Sequence, residues 1–192
     1  ESGLFHRFDA TNILKKNLVS IITAIGLDHL DWLPENEKTI DKIIYEKTSS
    51  LLNSKIVVSN QDNQDVLYKI KKSIEKNRSE KIIFKDDYNY SKSENNFLFY
   101  EDKKGPLKLP FPNLVGDFQL DNVITAISTL RNLHTIKITE ENIKNGITKI
   151  KSSARLQEII KGKIKNLAKN NKILIDGSHN PLGAKVLSKY LS

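Results

Sequence analysis

The 192-residue sequence contains no cysteine and no methionine, and only one tryptophan, Trp32. Without cysteine there can be no disulfide, no thiolate nucleophile and no cysteine-bound zinc, and the absence fits a reducing compartment such as the cytoplasm. Methionine is missing even at position 1, so the chain is expected to begin inside a longer reading frame. No apolar run approaches the length of a membrane-spanning helix, so no membrane partner is expected. Arginine is scarce: Arg7, Arg78, Arg131 and Arg155 are the only four, and the formal charge of +8 is carried almost wholly by lysines interspersed with Asp and Glu. Nucleic-acid modules concentrate Arg and Lys on one face and interleave aromatics for stacking, so a nucleic-acid partner is not expected either. A mild positive field still favours anionic small molecules.

What is present is an alternation of strand and helix signals. Val19 to Ile25 is an apolar, largely β-branched run that reads as a buried parallel strand ending at Gly26, Leu27, Asp28 and His29. Lys55 to Ser59 and Lys81 to Lys85 read as further strands, with an amphipathic helix from Asn63 to Asn77 between them. Such alternation predicts an α/β fold with a mostly parallel sheet. Tyr88 to Leu109 has loosely alternating aromatics and the turn pair Gly105-Pro106, and predicts short antiparallel strands at the sheet margin. Beyond Pro110, Pro112 and Gly116, a helix carries Val123, Ala126, Ile127 and Leu130, and Thr139 caps another over Glu140 to Ile150. A boundary is expected at Lys151 to Ala154. After it come a strand at Arg155 to Ile160, a loop or hairpin at Lys161 to Asn171, a buried strand at Lys172 to Asp176, and a helix capped by Asn180 with Pro181 in its first turn.

Ligands of open α/β sheets bind beyond the carboxyl ends of the strands, which makes Asp28 and His29 candidates for metal or phosphate chemistry. A hydrogen-bonded strand-end histidine would look the same. Lys47 follows Ile43 and Ile44 by four and three residues on a helical segment, so it emerges from the apolar face. A partly buried lysine loses preference for the ammonium form, and its free amine can react with carbon dioxide to a carbamate able to ligate magnesium. A lysine that merely snorkels from an ordinary helix has the same spacing. Asp176 and His179 fall where a strand ends and a helix begins, a place suited to anion recognition.

Six segments in order sharpen these choices: ESGLFHRFDATN at the start, TAIGLDH, YEKTS, LVGDFQLDN, SSARLQ and LIDGSHNP. Together they resemble the folylpolyglutamate synthase and dihydrofolate synthase family, a branch of the Mur ligase superfamily. The resemblance implies a central ATP-binding domain over residues 1–150, truncated at its start, and the beginning of a Rossmann-like C-terminal domain over 151–192. It implies an ATP-dependent ligase that adds L-glutamate to dihydropteroate or to folate polyglutamates through an acyl phosphate, in a cytoplasmic protein that is a monomer when intact. By the same resemblance Glu1, His29 and carbamylated Lys47 would hold Mg2+; Asn122, Arg155, Asp176 and His179 would face ATP; and Phe8, Asp9 and Ala10 would contact the pteroate.

A cell-wall Mur ligase acting on a UDP-muramoyl substrate shares the reaction type, and a non-catalytic nucleotide-binding module is the alternative of another class. The DATN-type loop favours the folate branch. The sequence departs from the family at Phe5 and His6, which replace two glycines, and at Ser153-Ala154, where a Pro-Gly pair is common. No G-x-x-x-x-G-K-[ST] motif occurs, and in this family the phosphate-cradling loop would precede Glu1, so the chain by itself is expected to be inactive.

Overall fold

The computed structural model describes residue 3, residues 9–28, 30–49, 51 and 54–192. The alternation read from the sequence is realised as an α/β fold. Three parallel strands, β1 (Val19–Ile22), β2 (Lys55–Val58) and β3 (Lys81–Ile83), lie in the order β1-β2-β3. Their crossovers carry α1 (Ile40–Thr48) and α2 (Gln64–Ile74), which pack on each other. Both helices start where side chains supply the missing acceptors: Thr39 accepts from the Lys42 amide and Asn63 from the Asp65 amide.

The middle strand is buried on both faces, as parallel strands between layers must be. Ile56 and Val58 join Ile22, Ile44, Val66, Leu67, Ile70 and Ile74 on the α1/α2 side, while Val57 turns to the opposite core. The first strand departs from expectation. It is shorter than Val19 to Ile25 and only Ile22 in it is buried, because it pairs with β2 alone among the described residues and leaves Ile21 47% exposed.

The opposite core is built on the longest helix, α3 (Phe118–Arg131), packed against β2 and against β4 (Tyr88–Lys92). With β5 (Phe97–Asp102) and β6 (Leu107–Pro110), β4 forms a three-stranded antiparallel sheet of its own, tied to the parallel sheet by a bridge between Phe84 and Tyr88. Leu98, Tyr100, Leu107 and Leu109 point inward from it, alternating with wetter neighbours. Helix α4 (Glu140–Lys149) closes this side through Ile143 and Ile147, and its start is a reciprocal capping box between Thr139 and Asn142.

The last forty residues form a sparser layer. The expected strands shrink to β7 (Gln157–Glu158) and β8 (Leu174–Ile175), an antiparallel pair, and β8 is half-exposed instead of buried because, among the described residues, β7 is its sole strand neighbour. The connection expected as a loop or hairpin carries a short helix, α5 (Lys163–Ala168), whose Lys, Leu and Ala are good helix formers starting just after Gly162. Helix α6 (Pro181–Leu191) begins as the sequence predicts: Asn180 accepts from the Gly183 amide and Pro181 occupies the first turn.

Candidate functional site

A cavity of about 390 Å³ opens beyond the carboxyl ends of β1 and β2. Thr23 and Ala24 extend from β1, and Ser59, Asn60 and Asp62 from β2. The start of α3 brings Phe118, Gln119, Asp121 and Asn122. Arg155 and Leu156 enter from the segment before β7, and Asp176, Ser178, Asn180 and the first turns of α6 complete the wall. A larger cavity of about 480 Å³ lies between α3 and α4, but its lining is aliphatic except for Asn122 and Asn142. Binding sites combine apolar walls with a few convergent polar groups, so the smaller, mixed cavity is the candidate.

The strand ends on this rim are held by one side chain. Gln61 is 2% exposed; its Oε1 accepts from the Ile25 amide at 2.9 Å, and its Nε2 donates to the Thr23 and Ser59 carbonyls at 3.2 and 3.1 Å. Three backbone groups of two loops are thereby satisfied by one buried amide, which fixes the β1 loop relative to the β2 loop. Next to it, the Asp121 carboxylate accepts from Asn60 Nδ2 at 3.0 Å and from the Tyr90 hydroxyl at 3.1 Å. Burial raises the Tyr90 hydroxyl pKa, and the negative Asp121 beside it adds to the effect, so the phenol stays protonated as a donor. Asn122 is one residue further along the helix and donates to Gln119 Oε1 at 3.2 Å.

The third wall is conformationally unusual. Ala154 and Leu156, on either side of Arg155, have φ of 53° and 49°, in the left-handed region that non-glycine residues seldom occupy. This gives a physical reason for a glycine at position 154: it would take this backbone conformation without the Cβ penalty that Ala154 bears. Asp176 holds the strained segment. Its Oδ2 accepts from the Leu156 amide at 2.8 Å and its Oδ1 from the Ser178 amide at 2.9 Å and from Ser178 Oγ. Burial pushes the Asp176 carboxyl up, but the hydrogen bonds from Ser178 and Leu156 and the charge of Arg155 outweigh it and hold the group below its ordinary value.

Asn122, Arg155 and Asp176, distant in sequence, thus share one cavity. His179 stands beside it but not on its wall: it is exposed, its Nδ1 lies 2.9 Å from the Gly177 carbonyl and its Nε2 3.8 Å from Asp28 Oδ2. Lys47 does not line the cavity either. It is half-buried in the last turn of α1 and donates to the Gly3 carbonyl at 2.9 Å, while the Gly3 amide donates to Asp9 Oδ2 at 2.8 Å. Lys47 and Asp9 thus both bond to Gly3, and Asp9 also caps a helical turn over Ala10–Ile13. Glu1, Phe8 and His29, and the departures at Phe5 and His6, lie outside the described residues. Among the described residues no three His, Asp or Glu side chains gather as a metal cluster.

The Lys47 amine donates a hydrogen bond to Gly3; with a carbamate in its place, a carboxylate, an imidazole and a second carboxylate-like group would make a donor set suited to magnesium. Sequence reasoning missed Gln61, Asp121, Tyr90, Ser178 and the side-chain role of Asn180 toward Asp28. The one available signal was polar residues directly after an apolar strand, as in the Ser59-Asn60-Gln61-Asp62 run.

Residues 6–130 match the family model described as the Mur ligase middle domain, and the chain belongs to that family. Within it the similarity is to folate-type members. A dihydrofolate synthase/folylpolyglutamate synthase of Buchnera aphidicola is 32% identical over the whole chain, and one of Escherichia coli is 28% identical over 98% of it. A solved folylpolyglutamate synthase complex with AMPPCP and folate superposes with a TM-score of 0.80 at 27% identity over 99% of the chain, and the Escherichia coli FolC protein with DHPP and ADP gives 0.76 at 26% over 98%. The chain spans 41% and 40% of the two curated relatives and 45% and 41% of the two solved chains.

Proposed function

We propose that this chain is the ATP-handling part of a ligase that joins L-glutamate to dihydropteroate or to folate polyglutamates, with residues 1–150 in a central domain and 151–192 opening a C-terminal one. The observation that carries the reading is the convergence of Asn122, Arg155 and Asp176 on one cavity at the carboxyl ends of parallel strands. Relatives over the full chain are named for this activity, and solved neighbours hold ATP analogues, ADP, folate or DHPP. A Yersinia pestis neighbour, 25% identical, holds AMPPNP and a manganese ion. These likenesses favour the folate branch over a UDP-muramoyl ligase or a non-catalytic module.

In this reading ATP phosphorylates the free carboxylate of the pteroate or folate. The acyl phosphate is then attacked by the glutamate amine, forming the amide and releasing phosphate. Asn122 faces the nucleotide, and Arg155 brings a positive charge to its phosphates. Asp176 acts by holding the Arg155 segment, because both its oxygens already accept protein hydrogen bonds. His179 faces the phosphate end from the turn before α6. Phe8, Asp9 and Ala10 contact the pteroate. Glu1, His29 and a carbamylated Lys47 would hold magnesium, which when bound would neutralise charge on the transferred phosphoryl group. Exclusion of water by the 154–156 segment and the turn before α6 protects the acyl phosphate from hydrolysis.

The intact protein is expected to be a cytoplasmic monomer, and no described helix is long and apolar enough to cross a membrane. Isothermal titration with Mg·ATP tests the cavity: Arg155→Ala should weaken binding about tenfold or more, the scale of losing one charge-assisted contact. Equal affinity of the two chains would remove Arg155 from the site.

A further inference from the structure

We infer that Asp28 and Asn180 form a latch that closes one end of the cavity, a pair of positioning residues acting between the β1 loop and the start of α6. The Asn180 amide is used at both of its ends. Its Oδ1 accepts from the Gly183 amide at 2.8 Å, capping α6, and its Nδ2 donates to Asp28 Oδ2 at 2.8 Å across 152 residues of sequence. A hydrogen bond to a carboxylate is stronger than one between neutral groups, and Asp28 is half-buried, so solvent competes weakly for it. The backbones are close as well: a Cβ on Gly26 would stand 3.2 Å from Leu182 Cβ, so the β1 loop and α6 pack together at a position where glycine leaves the room. Thr23 and Ala24 on one side of this contact and Leu182 and Gly183 on the other line the cavity.

The consequence is that the cap of α6 and the closure of the cavity are one event. If the Asn180 side chain turns away, the first turn of α6 loses its acceptor while the β1 loop loses its tie. Asn180 immediately follows His179, so the latch also sets where that imidazole begins. That this arrangement serves a nucleotide rests on the function proposed above; that it holds two walls together does not.

The test exploits the two ends of the amide. Aspartate caps a helix as well as asparagine, so Asn180→Asp keeps α6 capped but replaces the donor with a carboxylate facing Asp28. Asp28→Asn keeps an acceptor for Asn180 and serves as the control for folding. The double swap Asp28→Asn with Asn180→Asp rebuilds the hydrogen bond with its direction reversed. Amide hydrogen exchange at residues 23–28 and 178–183 is read together with Mg·ATP affinity. In Asn180→Asp, exchange in both segments should speed up, and affinity fall, about tenfold or more, the scale of one hydrogen bond to a charged group. The double swap should bring both back toward the parent chain, which a role confined to capping would not do.

Unchanged exchange in Asn180→Asp, or a double swap that fails to recover it, overturns the latch. Exchange that follows the swap while no variant binds Mg·ATP upholds the latch and overturns the nucleotide reading instead.

Discussion

The two ends of α3 are held in opposite ways. At its C-terminal end Arg131 makes a fork onto the Asp102 carboxylate, Nε and Nη2 each at 2.8 Å, donates also to the Gly105 carbonyl at 3.0 Å, and lies over the Tyr100 ring. Both charged side chains are largely out of water, at 14% and 7% exposure. At the other end Asp117 gives no side-chain cap, and Gln119, Asp121 and Asn122 face a cavity. One end has its charges sealed and spent on the antiparallel sheet; the other leaves polar groups on the wall of a space. Stability and recognition are thus assigned to opposite ends of one helix, and substitutions at the two ends should separate in the same way.

The largest effect is expected at the sealed end. Arg131→Ala strands a buried carboxylate and should cost about 3–5 kcal/mol in denaturant unfolding. Adding Asp102→Asn to Arg131→Ala should recover part of that loss, and Mg·ATP affinity of the folded fraction should be unaffected. Acid reaches the same pair from the other side. Burial raises the Asp102 carboxyl, but Arg131, the Tyr100 hydroxyl and the Lys104 amide outweigh it and hold the group below its ordinary value. The ionised form is therefore favoured by folding. The stability it contributes is complete above about pH 4, the unfolded value, and is lost as pH falls through the lower folded one. Unfolding midpoints measured downward from pH 5 should drop, with a shallower slope in Arg131→Ala.

At the open end Gln61→Leu orphans the Ile25 amide and two carbonyls, and should cost about 2 kcal/mol while weakening Mg·ATP binding. An equally large stability loss with binding intact would break the division between the two ends. The smallest effect has the opposite sign. Ala154→Gly places glycine where φ is 53° and should stabilise the chain by up to about 1 kcal/mol, read as a rise in Tm, since the steric relief exceeds the added unfolded-state entropy.

Much of this fold was legible because its signals are local. Thr39, Asn63, Thr139 and Asn180 sit directly before the helices they cap, and a capping bond spans two or three residues. The strands β2 and β3 announce themselves by β-branched runs between helical periods. Local signals say nothing of neighbours, so Val19 to Ile25 reads as buried although β1 has a strand on one side only among the described residues. The helical turn of Lys163–Ala168 was hidden by its many lysines, which suit a loop and a helix alike.

Three members of the candidate site, Asn122, Arg155 and Asp176, were legible through the resemblance of their motifs. The residues that hold them were not. Gln61 joins loops 36 and 38 residues apart, and Asn180 reaches Asp28 over 152, distances at which a single sequence carries no pairing information.

The most direct measurement is a two-dimensional amide NMR titration of the chain with Mg·ATP. Shifts concentrated at Thr23, Ala24, Asn122, Arg155, Asp176 and Gly183, and absent from the β4–β5 turn around Asn95, are what the account predicts. Shifts confined to other surfaces would contradict it.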